Sequence, residues 1–222
     1  MMKKTTLLVI ICLNSLTLFA QRIPKPESYF ILTTTLGDLD NDGTKELVVA
    51  YNTKQEDETY ESIPRELRIY KLQNGEWMMW KKSQQALYES QDGGTMGDPL
   101  EKIEIKNGIL NITQSGGSSW KWGHTDKYRY QNGDFYLIGY SSTDGKICEY
   151  FVYVDFNLST GKMIVKKEYE NCEDDDQIVY KRQNETLYKK GIKITLQNRR
   201  KNELKIITPK YKHQIYIAMK YD

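Results

Sequence analysis

The sequence predicts an all-β protein, and three observations carry that expectation. Seventeen tyrosines with frequent Ile and Thr are the residue types that fill a pleated surface. Three Asn-Gly dipeptides, Asn74-Gly75, Asn107-Gly108 and Asn132-Gly133, sit between apolar runs, and Asn-Gly is the strongest short hairpin signal because both residues accept positive φ. No stretch joins helix caps to a 3.6-residue apolar stripe. Lys81 to Ser90 comes nearest, as one short turn.

The first twenty residues stand apart from the fold. Lys3 and Lys4 precede an apolar stretch from Leu7 to Leu13, and Ala20 is a small residue at a cleavage point, the three parts of a secretory signal. Asn14, Ser15 and Thr17 interrupt the apolar part and make it too short for a membrane span. Cleavage before Gln21 and a secreted or periplasmic location are therefore expected. Val9-Ile10-Ile11 lacks the small side chains that precede a lipid-modified cysteine, so no anchor is expected on Cys12. The chain has 32 Lys and Arg, two of them Lys3 and Lys4, against 30 Asp and Glu. The exported part is thus formally neutral, with mixed signs, which argues against nucleic acid as a partner.

Residues 21–29 contain Pro24 and Pro26 and read as an extended linker. After it, the hairpins follow from pairing outward from each Asn-Gly. Around Asn107-Gly108, Ile105 meets Leu110, Ile103 meets Ile112, and Glu104 faces Asn111 on the other side. Around Asn132-Gly133, Tyr130 meets Phe135 and Tyr128 meets Leu137, with Lys127 and Arg129 on the opposite face. One buried and one wetter face is the pattern of an antiparallel sheet. Around Asn74-Gly75, Leu72 faces Trp77 and Ile69 faces Trp80 on opposite sides, so this hairpin is expected to be covered on both. Near the C-terminus, Ile194 and Leu196 are expected to meet Ile206 and Leu204 around a polar tip, Asn198 to Asn202, whose basic NRRKN run reads as solvated. HQIYIAMKY reads as a closing strand. The Gly-rich loop Gln91 to Pro99 marks a soft boundary between residues 30–90 and 95–222.

Of three cysteines, Cys12 lies in the leader. Cys148 and Cys172 flank two strand-like runs around turn residues Asn157 to Gly161, and a hairpin centred on Thr160 sets them opposite each other. That suits disulfide reach in an oxidising compartment.

The stretch GDLDNDGTKELVVA, Gly37 to Ala50, holds the most specific chemistry. Asp38, Asp40 and Asp42 alternate, Gly43 follows, and Glu46 comes three residues later. Ca²⁺ takes six to eight oxygens, roughly, and a loop that turns sharply at a glycine supplies them from every second residue. Asp38, Asp40 and Asp42 would ligate by side chain, Thr44 by its carbonyl, and Glu46 by carboxylate or through water. An EF-hand is excluded, because its twelfth position would be Val49 and the flanks YFILTTTLG and ELVVAYN are strand-like.

A strand, an Asp-x-Asp-x-Asp-Gly-x-x-Glu loop and a second strand resemble the calcium loop of FG-GAP and VCBS-type repeats, the blades of β-propellers. Residues 30–82 resemble one whole blade, with LVVAY and the ELRIYKL and EWMMWKK hairpin following the loop. The resemblance implies a structural Ca²⁺ with a Kd of ~10⁻⁴ to 10⁻³ M, the range of extracellular modules. A single acidic loop falls short of the copies a closed propeller needs. The expected architecture is a blade-like N-terminal sheet followed by a larger antiparallel sheet.

Function is less legible. Trp120, Trp122, Tyr128 and Tyr130 form either a platform for a sugar ring or partner, or sheet core. Their alternation and the pairing of Tyr128 and Tyr130 with Leu137 and Phe135 favour core, with Trp120 and Trp122 kept as a candidate binding surface. Glu173 to Asp176 reads as a solvated loop. No catalytic residue stands out: His124 and His213, the two histidines, are far apart without metal-ligand spacing, and no nucleophile elbow, phosphate loop or zinc pattern is present. The expectation is a non-enzymatic module binding a protein or glycan at the cell envelope. The alternative is a hydrolase or enzyme inhibitor with its site between the two sheets, near Gly93, Gly94, Gly116 and Gly117.

Overall fold

A computed structural model describes residues 22–55, 61–173 and 176–218. The expected leader, Cys12 included, and the middle of the Glu173 to Asp176 run lie outside the described residues. The protein is all-β. Strands β1 (Phe30–Gly37), β2 (Glu46–Asn52), β3 (Arg65–Gln73) and β4 (Glu76–Ser83) form a four-stranded sheet in sequence order. A seven-stranded sheet follows, again in sequence order: β5 (Leu100–Lys106), β6 (Ile109–Gly117), β7 (Lys121–Gln131), β8 (Asp134–Lys146), β9 (Tyr150–Asn157), β10 (Lys162–Glu173) and β11 (Asp176–Tyr188). A separate hairpin pairs β12 (Leu204–Ile207) with β13 (Gln214–Ala218). Every pairing between named strands is antiparallel, and each sheet keeps two free edges.

The Asn-Gly turns behave as the chemistry requires. Asn74, Asn107 and Asn132 take φ of 52°, 52° and 50°, each followed by a glycine at positive φ, the geometry that matches strand twist in a two-residue hairpin. The registers of two hairpins are the expected ones: Ile105 pairs with Leu110 and Ile103 with Ile112, Tyr130 with Phe135 and Tyr128 with Leu137. The third departs. Leu72 does pair with Trp77, but a bulge between Ile69 and Tyr70 shifts the rest, so Ile69 pairs with Lys81 rather than Trp80. The bulge lets Trp80 turn onto the main core, where it packs on Tyr130 at 4.5 Å and Phe135 at 5.2 Å between ring centroids.

One apolar cluster draws on both large sheets and the terminal hairpin. Val48, Ala50, Leu67 and Ile69 come from the small sheet, Leu110, Tyr128, Phe135, Phe156 and Met163 from the large one, and Ile206, Ile215 and Ile217 from the hairpin. This core therefore crosses the Gly-rich loop, where Gly94–Met96 forms one 3₁₀ turn. Strand β2 is buried along its whole length, because its other face, Leu47, Val49 and Tyr51, packs with Tyr70 under Ile23 and Tyr29 of the Pro-containing lead-in. Residues 84–90 form bends and turns rather than helix. They are pinned by Gln114, whose Oε1 accepts from the Tyr88 N–H at 2.7 Å and whose Nε2 donates to the Ala86 carbonyl.

The predicted pairing of Ile194 and Leu196 with Leu204 and Ile206 does not form. Ile194, Leu196 and Ile206 are buried as the alternation demands, but their backbones go elsewhere. At the bulge in β8 that leaves Ile138 without a β7 partner, the Leu137 N–H donates to the Ile194 carbonyl at 2.8 Å. Leu196–Asn198 then makes a 3₁₀ turn, closed by the Asn198 side chain accepting from the Thr195 N–H at 2.7 Å. Strand β12 takes β13 as its partner instead. The basic run is accordingly not a solvated tip: Arg199 is 4% exposed.

Cys148 and Cys172 are disulfide-bonded, with Cα atoms 5.1 Å apart. The hairpin register is one residue off the symmetric one. Asn157 pairs with Lys162 and Tyr150 with Tyr169, so Cys148 reaches its partner from a turn beyond β9, at φ 66°.

Candidate functional site

The acidic loop joins β1 to β2 and is stitched by its own carboxylates. Asp38 accepts from the N–H groups of Asn41 (2.7 Å) and Gly43 (2.9 Å), and Asp42 from that of Thr44 (2.7 Å). Glu46, 1% exposed, accepts from the Leu39 N–H through Oε2 at 2.7 Å. One carboxylate oxygen from each of Asp38, Asp40 and Asp42 lies within 4.8 Å of the others. Two buried oxygens there, Asp40 Oδ1 and Glu46 Oε1, have no hydrogen-bond partner. Desolvation, helped by Asp40 and Asp42, pushes the Glu46 carboxyl above its ordinary pKa.

Lys71 on β3 enters the same space. Its ammonium pairs with Asp40, lies 3.2 Å from Asp42 and 3.8 Å from Glu46 Oε1. Desolvation works to lower its pKa, and the bonds to Asp40 and Asp42 outweigh it and raise it. The donor set fits a hard cation, and a side-chain cation already leans on it.

The glycines expected to mark a site do come together, but as packing. A Cβ on Gly116 would lie 2.7 Å from the Gly93 Cα, and the Gly117 N–H donates to the Gly93 carbonyl. A small pocket does lie between the two large sheets, lined by Leu32 and Thr33 of β1 and Leu100 and Ile103 of β5; the space best shaped for a ligand lies between the seven-stranded sheet and β13. It is a cavity of about 290 Å³, near the lower end of small-molecule sites.

Strand register builds its floor in rows, because residues directly opposite across antiparallel strands share a face. The innermost row is Asp126, Tyr140, Phe156 and Met163; the next is His124, Ser142, Val154 and Val165; the outermost is Trp122, Asp144, Val152 and Lys167. Apolar core thus grades into polar cavity along the strands. His213 to Ile217 supply the roof. The Tyr140 hydroxyl donates to the Tyr216 carbonyl at 3.4 Å, and Glu185 on β11 accepts from the Lys210 N–H at 2.6 Å and the Tyr211 N–H at 3.3 Å, pinning the connection before β13.

At the cavity's inner end, Asp126, fully buried, accepts from Arg199 Nε at 2.6 Å and its Nη2 at 3.0 Å, and from the Tyr128 hydroxyl at 3.0 Å. Desolvation alone would raise the Asp126 pKa; the guanidinium holds it below the ordinary value. Trp122, His124 and Tyr140 stack in a column, with centroids 5.9 and 5.8 Å apart. Burial pushes the His124 pKa down to about 4, against the pull of Asp126 and with the help of Arg199 and Arg200. It is a neutral imidazole at pH 7.

That shift makes a pH prediction. The unfolded chain binds a proton near pH 6.5 and the native state only near pH 4, so this contribution to stability is complete above pH 6.5 and lost as pH falls toward 4. Between pH 7 and pH 5 it amounts to about 2 kcal/mol. Urea midpoints at the two pH values are expected to converge in His124→Phe; an undiminished difference would assign the acid sensitivity to other groups.

Of the residues singled out in the sequence, Trp122 lines the cavity, Trp120 lies near its rim with its ring 5.2 Å from Tyr150, and Tyr128 is core. Tyr130 is half-buried against Trp80 and Phe135. His124 and His213, remote in sequence, line one space. A signal for this was present: His124 and Asp126 share the inward face of β7 with Tyr128, so two polar groups had to be accommodated inside. No protein-family model matches the chain, and no curated protein matches it.

Proposed function

We propose that the protein is an exported, calcium-stabilised, non-enzymatic binding module whose ligand site is the cavity beneath β13. The observation that carries the ligand site is the set of unspent polar groups facing one concave space. Among the described residues, His124 makes no hydrogen bond through its ring, His213 Nε2 is buried without a partner, and Asp144 and Lys167, which also line the cavity, belong to no ion pair. A core would have satisfied or excluded the buried members of this set, His124 and His213 Nε2; Asp144 is exposed and Lys167 half-buried. A ligand-observed NMR screen of a chemically mixed small-molecule library tests this reading. Binders are expected that lose their signal with Val152→Trp, which fills the floor; a library without any such binder would refute it.

Calcium at the β1–β2 loop is the second part of the proposal. The orphaned oxygens of Asp40 and Glu46 support it, as does the four-stranded meander with its acidic loop between the first two strands, the arrangement of an FG-GAP-type blade. The ion would be held by Asp38, Asp40, Asp42, the Thr44 carbonyl and Glu46, and would pin β1 to β2. At Ca²⁺ ~100 times Kd, native-state binding adds about 2.7 kcal/mol, several degrees in Tm for a domain of this size. An unchanged Tm between EDTA and millimolar calcium would refute it. Because Lys71 competes for the same carboxylates, Lys71→Met is expected to bind calcium several-fold more tightly, read by calorimetry; weaker binding would show that the ammonium is no competitor.

A further inference from the structure

We propose that the cavity is built for a small zwitterion of the free α-amino-acid type, its ammonium met by Asp144 and its carboxylate by Lys167 and His213. This rests on the cavity being the ligand site.

The outermost row of the floor carries the unpaired charges. Asp144 pairs across to Val152, and Val152 to Lys167, so the two charged residues share a face two strands apart. Their Cα atoms are about 10 Å from each other at the usual strand spacing. Val152 stands between them in the row and also lines the cavity, as does Tyr150. Neither charge is answered from within. Asp144 has no hydrogen bond or ion pair among the described residues, and desolvation is the one influence on its carboxyl, raising its pKa. The Lys167 ammonium sits over the rings of Tyr150 at 3.4 Å and Tyr169 at 4.7 Å, with no carboxylate of the described residues within ion-pair distance.

The remaining charges do not alter this balance. Arg199 is neutralised by Asp126, and His124 is uncharged. The cavity therefore offers one negative and one positive group, side by side and unmatched. Asp144 is exposed and Lys167 half-buried, so water serves both until a ligand covers them; a lone anion would then meet Asp144, a lone cation would meet Lys167, and a neutral sugar would strip water from both charges without replacing it.

Each end has supporting groups of the right kind. Beside Asp144 stand Trp122, its cross-strand neighbour, and Tyr150, whose pKa the Asp144 charge helps raise. Aromatic faces next to a carboxylate suit an ammonium. Beside Lys167 stands His213, close enough for that ammonium to help lower its pKa. Its buried, unpartnered Nε2 can donate to a carboxylate when it carries the proton. The volume suits one amino acid rather than a peptide chain.

The experiment is calorimetry with free leucine, N-acetyl-leucine, leucine methyl ester and glucose, on wild type, Asp144→Asn and Lys167→Met, with thermal unfolding to confirm that each variant is folded. Leucine is expected to bind, and each masked derivative to bind about tenfold or more weaker, the loss of one charge-assisted hydrogen bond. Asp144→Asn should erase the penalty for acetylation alone, and Lys167→Met that for esterification alone. Equal binding of the three leucine forms, or binding of glucose alone, would overturn the zwitterion while leaving the cavity as a ligand site. No binding of these four, with other binders found in the NMR screen and displaced by Val152→Trp, would do the same. Absence of binding in both experiments would remove both readings.

Discussion

Asp126→Asn is expected to destabilise the protein by roughly 3–5 kcal/mol, the usual consequence of leaving one partner of a buried ion pair uncompensated. Both groups are almost fully buried, and the guanidinium bonds the carboxylate through two nitrogens. Arg199→Met should cost a comparable amount. The double variant Asp126→Leu/Arg199→Met should recover much of the loss, because an apolar pair of similar volume avoids the desolvation of both charges. Urea unfolding of the two singles and the double is the measurement. Single variants within about 1 kcal/mol of wild type would mean that the pair is solvated in solution. The variants also separate stability from binding: the pair closes the inner end of the cavity, so a recovered double variant should still hold the roof in place.

Removal of the disulfide ranks second. Cys148 and Cys172 are 24 residues apart, and closing a loop of that length restricts the unfolded chain by about 3 kcal/mol. Cys148→Ser/Cys172→Ser should therefore melt several degrees below the oxidised wild type, and reductant should lower the wild type to meet it. The same bond predicts a mass unchanged by alkylation in the absence of reductant. Equal melting of wild type and double serine variant under oxidising conditions would show that the β9–β10 hairpin already limits the unfolded ensemble.

Local chemistry was legible in the sequence where it acts between near neighbours. The Asn-Gly turns specified two hairpins to the residue, since a turn that accepts positive φ at both positions fixes which side chains face each other. The cysteines were legible as a pair, but not the route by which Cys148 arrives, because a one-residue register change moves the contact into a turn. The bulge at Ile69 was not legible: its cause is Trp80 seeking Tyr130, some fifty residues away. Nor was the fate of Arg199, which resembles any other basic residue in a polar run until Asp126 is known to lie inside. The acidic loop could be read as a cation site, yet Lys71, its internal competitor, comes from a strand two positions along the sheet. The cavity was the least legible feature, since it is defined by strand register and by a roof from the end of the chain.

The large sheet has a further consequence for assembly. Its strands lie side by side in the order they occur in the sequence, so each new pairing closes only a short loop, the kind of contact with the lowest entropic barrier. The roof is different: Tyr140 meets Tyr216 across 76 residues, and at the inner end Arg199 meets Asp126 across 73. The floor of the cavity is thus made from near contacts in the chain and the roof from distant ones. A chain in which β5 to β11 have paired still has an open shelf, and the cavity closes only when the C-terminal segment docks on it.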